Sequence, residues 1–412
     1  MTLACSLALV LLPSAPADVI VVDAAGAGEF TDLQAAIAAA AEDDVLLVRP
    51  GTYGPAQIDG KGLSLVADGG GPVSVQGGLS VRQLMQDQQV ALIGLRCEGG
   101  NGAGEQRAGL TIEANDGVVR VDHCVLIGAD GVFYSLDAEG APGARIEDAA
   151  GVSLAHCELR GGDGDQSFSG GDDNRGGEGV WASHSALALY DCDASGGNGG
   201  PGSFEGCDLG GAAGHGLHLM ESAATVSGSL VLGGDGGGDG LFSCEPGGHG
   251  ALLEGAGTLV QLLDSQAQGG SGACFAGPGQ PSVLIAGAQL QALPGPARSM
   301  KLDAPLQEGV AYAHDFQGAA GDSLFLAFSL RADHLSLPGT FGTLAVALPL
   351  TGPLQFLGVL PASGSLAAPG TGPVLAPGLE AARFELQPLF LSASAQSWLG
   401  TPASAVVIDG AF

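Results

Sequence analysis

The feature that most constrains this chain is an internal repeat. A glycine opens an apolar stretch at Gly109, Gly143, Gly179, Gly216 and Gly250, at steps of 34, 36, 37 and 34 residues. A second apolar stretch follows in each unit (VRVDHCVLIG, VSLAHCELRG, LALYDCDASG, ATVSGSLVLG, TLVQLLDSQAQG), and then a loop rich in Gly and Asp. Two short strands cannot bury their apolar side chains alone. Stacking equivalent units does so, because each Val or Leu then packs on its counterpart in the next coil. Alternation sets the phase: Val119, Val121, Cys124 and Leu126 face the interior, while Arg120 and Asp122 face outward. Cys124, Cys157 and Cys192 share the inward phase and form a thiol column, in which a buried Cys acts as a small hydrophobe.

Composition narrows the partners. The 412 residues include 44 acidic and 13 basic side chains, a net charge of −31 that is wrong for nucleic acid or an anionic membrane surface. A hydrophobic content of 45% excludes a disordered acidic chain, and the 73 glycines lack the uninterrupted three-residue period of collagen. The character changes near residue 295. Before 283 lie 36 acidic and 9 basic residues, 58 glycines and every cysteine; after it lie 8 acidic and 4 basic residues and 15 glycines. Leu293-Pro294-Gly295-Pro296 marks the junction. In the tail, apolar alternation over Leu324–Leu330, Thr343–Leu348, Phe384–Leu391 and Val406–Ile408 predicts a small antiparallel sandwich. The chain therefore reads as all-β, with a stacked parallel domain over 18–295 and a β-sandwich over 300–412.

Residues 3–12 form an apolar run of signal-peptide length, followed by Ala15-Pro16-Ala17, so 1–17 reads as an export signal and the protein as secreted or held at the cell envelope. No later run is long enough to span a bilayer. Seven cysteines remain beyond the signal, an odd number, and Cys207, Cys244 and Cys274 fall in Gly-rich loops where adjacent coils can bring two within bridging reach. Leu33, Ala36, Ile37 and Ala40 recur at helical spacing behind Thr31 or Asp32 as N-cap, predicting a short helix that covers the first coil.

Val21-Val22-Asp23, the run Gly28-Glu29-Phe30-Thr31-Asp32-Leu33-Gln34-Ala35-Ala36-Ile37 and the run Val45-Leu46-Leu47-Val48-Arg49-Pro50-Gly51-Thr52-Tyr53 resemble the start of pectin methylesterase-type proteins. The resemblance implies the right-handed parallel β-helix of the pectin-lyase-like superfamily. It covers the cap and first coils; the stretches that carry that family's catalytic Asp, Gln and Arg residues have no match here, so methylesterase activity is not expected. The tail from about 305 resembles the carboxy-terminal β domain of exported proteins from planctomycete-like bacteria, which implies secretion or envelope display.

Two constellations carry the chemistry. The residues preceding the aligned cysteines are His123, His156 and Asp191, and the equivalent position two coils on is Asp264. Stacked coils put them in one outward column about 4.8 Å apart, as divalent-metal ligands or acid/base groups, or else as polar residues on a solvent-facing turn. The loops place Asp163, Asp165, Asp172 and Asp173 together, and Asp235 with Asp239, among glycines that let carbonyls turn toward Ca²⁺; plain solvated loops are the alternative. Gly214-His215-Gly216 matches a polygalacturonase tripeptide, but Gly248-His249-Gly250 repeats it one coil later, the mark of a coil-opening turn. Trp181 and Tyr190 are the clearest exposed aromatics for a sugar. The expected function is that of a monomeric, non-catalytic, glycan-binding protein, with Ca²⁺ as the expected ion. The alternative is a polysaccharide lyase or hydrolase using exterior acids.

Overall fold

In the computed structural model, residues 17–102, 107–132, 138–165, 174–201, 210–238, 244–274 and 276–412 are described. Residues 1–16 of the expected export signal, Cys207, Asp172, Asp173 and Asp239 lie outside the described residues. The chain is nearly all β. Strands from successive coils pair in parallel and in register, as in Val19↔Val45↔Ser64 and Val180↔Leu217↔Ala251. They build a parallel β-helix with three faces. The first holds Val45–Val48, Gln89–Ile93, Ala186–Tyr190 and their counterparts; the second holds Leu79–Arg82, Val180–Ser183, Leu217–Met220 and theirs; the third is an eight-stranded parallel sheet running from Gly51–Tyr53 to Gln266–Gln268. Leu110–Asp122 and Ala144–Ala155 are long strands that turn the corner from second to first face.

The lumen is the apolar stack that alternation requires. Val119, Val121, Leu126, Val152, Leu154, Leu187 and Leu189 are buried there, with Cys97, Cys124, Cys157 and Cys192 as free thiols. Asp32 caps the helix Leu33–Ala39 by accepting from the Ala35 amide at 2.7 Å, and Leu33 and Ile37 plug the open end of the stack. Burying two such side chains contributes about 3–6 kcal/mol and hides a sheet end that would otherwise be adhesive. Lys61 donates to the Ile37 carbonyl at 3.0 Å and satisfies the other end of the helix.

Corner chemistry explains the repeat's odd residues. His123, His156, Asp191 and Asp264 all have φ near +50°, as do Asp148, His184 and Glu221 at the second-to-first corner. His and Asp are among the residues that tolerate this left-handed conformation. Except at Ala149, the following residue is small and polar, and donates to the carbonyl two residues back: Cys157 Sγ to Ala155 at 3.1 Å, Ser229 Oγ to Ser227 at 3.0 Å, Ser185 Oγ to Ser183 at 2.7 Å. The column read from the sequence is thus a column of corners.

The Gly-rich loops are ordered where described. Each coil sends one segment out from the third face and brings another back to the second. The amides of Gly161 and Gly164 donate to the carbonyls of Ser195 and Asn198 in the next outgoing segment, while Gly162 and Asp165 donate to Ala141 and Ala138 in a returning one. Gly197 and Gly200 likewise donate to Gly177 and Asn174, and Gly234 and Gly237 to Gly214 and Gly211. A hydrogen-bond period of three toward each neighbour is that of a threefold, extended chain of the polyproline II type. The backbones lie so close that a Cβ on Gly162, Gly177, Gly197 or Gly214 would overlap a neighbouring carbonyl. That close approach, repeated through the layer, is the physical reason for the glycine content. The third position of each outgoing segment builds a ladder: Asp130 Oδ1 accepts from the Asp163 amide, Asp163 from Asn198, Asn198 from Asp235 and Asp235 from Ser271, at 2.7–2.8 Å. Cys244 and Cys274 are disulfide-bonded at the edge of the layer, with Cα atoms 5.6 Å apart.

The carboxy-terminal strands form antiparallel sheets, chiefly Ser323–Ser329 against Ala381–Leu391 and the latter against Ala403–Ile408. Their core holds Met300, Phe316, Phe384, Phe390 and Trp398. They pack on the first face of the β-helix, where Ala381, Val406 and Ile408 meet Val19, Val45, Leu47 and Val66. Arg120 is outward from the lumen as expected, yet it is buried beneath these strands. Its guanidinium donates to the Asp333 carbonyl at 2.7 Å and to that of Ala345, and faces Glu385 at 3.9 Å. Tyr190, expected to be exposed, is 1% exposed for the same reason, its hydroxyl accepting from the Thr343 amide at 3.3 Å.

Candidate functional site

With the first face covered, charged groups meet solvent on the second and third faces, Arg96 and Arg160 among them on the third, and the second adds an aromatic one. In-register pairing places Arg145, Trp181 and His218 on successive rungs at one outward position. Arg145 is exposed, Trp181 and His218 are half-buried, and the guanidinium lies 5.2 Å from the Trp181 ring centroid, a cation–π contact that holds the indole in place. The cations of this face are matched by acids: Arg82 to Glu113 at 2.7 Å, Arg145 to Glu147 at 2.9 Å and Arg175 to Glu178 at 3.4 Å. His218 stands between two carboxylates, with Nδ1 3.7 Å from Glu178 and Nε2 3.7 Å from Glu254. Burial works against the charge of Glu178, but the His218 ring and the Arg175 guanidinium outweigh it and hold its pKa below the usual carboxylate range. His215 and His249 stack at the coil openings with centroids 5.0 Å apart, and His215 Nδ1 accepts from the His249 amide at 2.9 Å. Burial pushes His215 down to about 4. The repeated Gly-His-Gly is a turn ladder, as its second copy implied.

The corner column divides in two. His123 and His156 stack with centroids 4.6 Å apart, and both Nδ1 atoms approach Asp122 Oδ1, at 2.9 and 3.0 Å. His156 Nε2 is 3.9 Å from Asp191 Oδ2, which accepts from the Thr401 hydroxyl at 3.0 Å. Asp264 stands apart: Gly228 interrupts the column, and Asp264 accepts from the Ala297 amide at 2.9 Å. Burial opposes ionisation of Asp122, but hydrogen bonds from His123 and His156 and the charge of those rings keep its pKa low, and the bond to Asp122 raises that of His123. Burial, with Asp264 nearby, raises that of Asp191. Asp122 was missed as a site residue because its sequence neighbours mark it only as an outward strand position. The adjoining His-Cys at a corner was the available clue.

Of the loop carboxylates, those of Asp163 and Asp235 accept neighbouring amides in the ladder. Among the described residues, the His, Cys, Asp and Glu groups close enough to share an ion are Asp122, His123 and His156. The ladder too had a sequence signal: Gly-Gly followed by Asp, Asn or Ser and then Gly recurs at 99, 161, 196, 233 and 269. No described helix is long and apolar enough to cross a membrane.

No family model matches the chain, and no curated protein matches it. Among solved structures, the superoxide reductase (neelaredoxin) from Ignicoccus hospitalis is similar over 27% of this chain and 80% of its own, at 6% identity and a TM-score of 0.16. An AA10 lytic polysaccharide monooxygenase from Streptomyces lividans is similar over 26% of this chain and 59% of its own, at 15% identity and a TM-score of 0.16. Similarity at this level leaves the function to be argued from the residues themselves.

Proposed function

We propose that this protein is an exported or surface-displayed glycan-binding β-helix whose binding surface is the second face, centred on Trp181. The observation that carries the reading is the run Arg145, Trp181, His218 on consecutive rungs of the uncovered face. Rungs about 4.8 Å apart present one polar or aromatic group per step, a spacing close to the rise of an extended glycan chain. The Trp181 ring offers an apolar platform for the C–H face of a sugar, and the flanking Arg145, Glu147 and Glu254 supply hydroxyl partners. Because each arginine already has an acidic partner and the domain is strongly negative, neutral glycans are favoured and polyuronates repelled. The Cys244–Cys274 disulfide is in keeping with an oxidising, extracytoplasmic location. The similarity of residues 21–53 to pectin methylesterase-type proteins adds a likeness of scaffold.

Calorimetry against a panel of neutral, amino and acidic polysaccharides tests this. Binding of a neutral chain, weakened roughly 30-fold by Trp181→Ala with the fold intact, is expected for a central aromatic anchor worth about 2 kcal/mol. Binding insensitive to Trp181→Ala, or confined to polyuronates, refutes it. A second reading, polysaccharide hydrolysis, rests on Glu178 and Glu254 at opposite edges of His218, since paired carboxylates can act as acid and base. Release of reducing ends, lost in both Glu178→Gln and Glu254→Gln, would establish that reading.

A further inference from the structure

The cluster at the seam between the β-helix and the carboxy-terminal strands is independent of the glycan-binding face. We infer that Asp122, His123 and His156 form a binding site for one divalent transition-metal ion of the Zn²⁺ type, coordinated by Asp122 Oδ1 and the two imidazole Nδ1 atoms.

Two features point to an ion. The first is spacing. Ligand atoms around a tetrahedral Zn²⁺, at bonds of about 2.0–2.1 Å, stand roughly 3.3 Å from one another. Asp122 Oδ1 is 2.9 Å from His123 Nδ1 and 3.0 Å from His156 Nδ1, and the three groups converge within 4.8 Å. Opening the two Asp122–imidazole distances by a few tenths of an ångström brings them to that spacing. The second is the surroundings of His156, which has a carboxylate at each edge: Asp122 at Nδ1 and Asp191 3.9 Å from Nε2. A cation on Nδ1 leaves Nε2–H to point at Asp191, the carboxylate–histidine–metal arrangement that orients a ligand ring. Asp191 is itself held by the Thr401 hydroxyl at 3.0 Å.

The imidazole and carboxylate donor set suits Zn²⁺, Co²⁺ or Ni²⁺ over Ca²⁺, which prefers oxygen throughout. The corner geometry preorganises the site, because His123 and His156 are fixed at φ +52° and +51° on adjacent coils and their rings must stack. All three ligands come from the β-helix, while Thr401 reaches in from the carboxy-terminal strands. Ion binding and the packing of those strands are thereby coupled.

The test uses the full-length, tag-free chain, stripped with chelator and desalted. Titration with Zn²⁺ in a calorimeter, with metal content read by mass spectrometry after gel filtration, should show one ion per chain. Co²⁺ should give the visible absorption of a four-coordinate N/O site. His123→Gln should abolish stoichiometric retention while keeping the circular dichroism of the apoprotein, and Asp191→Asn should weaken binding by about 10–100-fold. His249→Gln, outside the cluster, should bind as the parent does. For the unmutated chain, imidazole NMR should show Zn²⁺-induced shifts confined to His123 and His156. The inference fails if the parent retains no ion, if His123→Gln retains as much as the parent, or if the shifts fall on His215 and His249 instead. In those cases the cluster is a buried ion pair at a corner.

Discussion

Replacing Gly197 by alanine probes the physical reason for the glycine-rich layer. A Cβ on Gly197 would stand 2.5 Å from the Gly162 carbonyl carbon and closer still to its oxygen, well inside the 3.0 Å that real Cβ atoms keep. The obstacle is backbone, so no rotamer change relieves it; one chain must move by about 1 Å, at an overpacking cost of roughly 1–3 kcal/mol. That movement also breaks or stretches two bonds of the layer, Gly197 N–H to the Gly177 carbonyl at 2.8 Å and Gly214 N–H to the Gly197 carbonyl at 2.9 Å. Each contributes about 1 kcal/mol. The expected loss is therefore about 3–5 kcal/mol, a fall in melting temperature on the order of 3–6 °C for a chain of this size. Gly54→Ala is the control, since nothing lies within 4 Å of its Cβ position. It should be neutral or stabilise by up to about 1 kcal/mol through a less flexible unfolded chain. Differential scanning calorimetry and urea unfolding of both variants decide the matter. If Gly197→Ala melts within about 1 °C of the parent, the segments do not form a close-packed hydrogen-bonded layer, and the glycines need another explanation.

Other outcomes follow from the same structure. Burial pushes His215 and His314 down to about 4 and His334 to about 3. Their unfolded counterparts protonate near 6.5, so the unfolded state takes up protons first as pH falls; stability should decline from pH 6.5 toward 4, and urea midpoints across that range would check it. Arg120→Met should cost about 3–5 kcal/mol, because it leaves Glu385 buried with less compensation, and should separate the unfolding of the carboxy-terminal strands from that of the β-helix. Burial raises the Cys124 thiol to about 12 and those of Cys97 and Cys157 well above normal. Peptide mapping after alkylation at pH 8 should find them unmodified in the native protein and modified in denaturant, and native labelling of Cys124 would contradict the lumen assignment.

Much of the architecture is legible in the chain because stacking is a local rule applied repeatedly. A strand's inward and outward positions alternate with period two, and equivalent residues in a parallel solenoid must meet, so the repeat of the second strand already places Val119 over Val152 and Cys124 beneath Cys157. Asp32 as a helix cap and the apolar spacing behind it are equally local. The glycine layer was half-visible: the repeated Gly-Gly-Asp-Gly tetrapeptides are there to be read, but glycine permits both a flexible loop and a close approach, and only neighbouring carbonyls distinguish them.

What the tertiary structure alone decided is which outward positions meet water. Arg120, Asp122 and Tyr190 have the same alternation as exposed residues, and nothing near them in sequence announces that strands two hundred residues later will cover them. The same docking brings Thr401 to Asp191 and leaves the rungs of Arg145, Trp181 and His218 uncovered. Periodicity is a property of one strand, whereas burial of its outer side is settled by the surface complementarity of distant segments, and that information is spread over both partners.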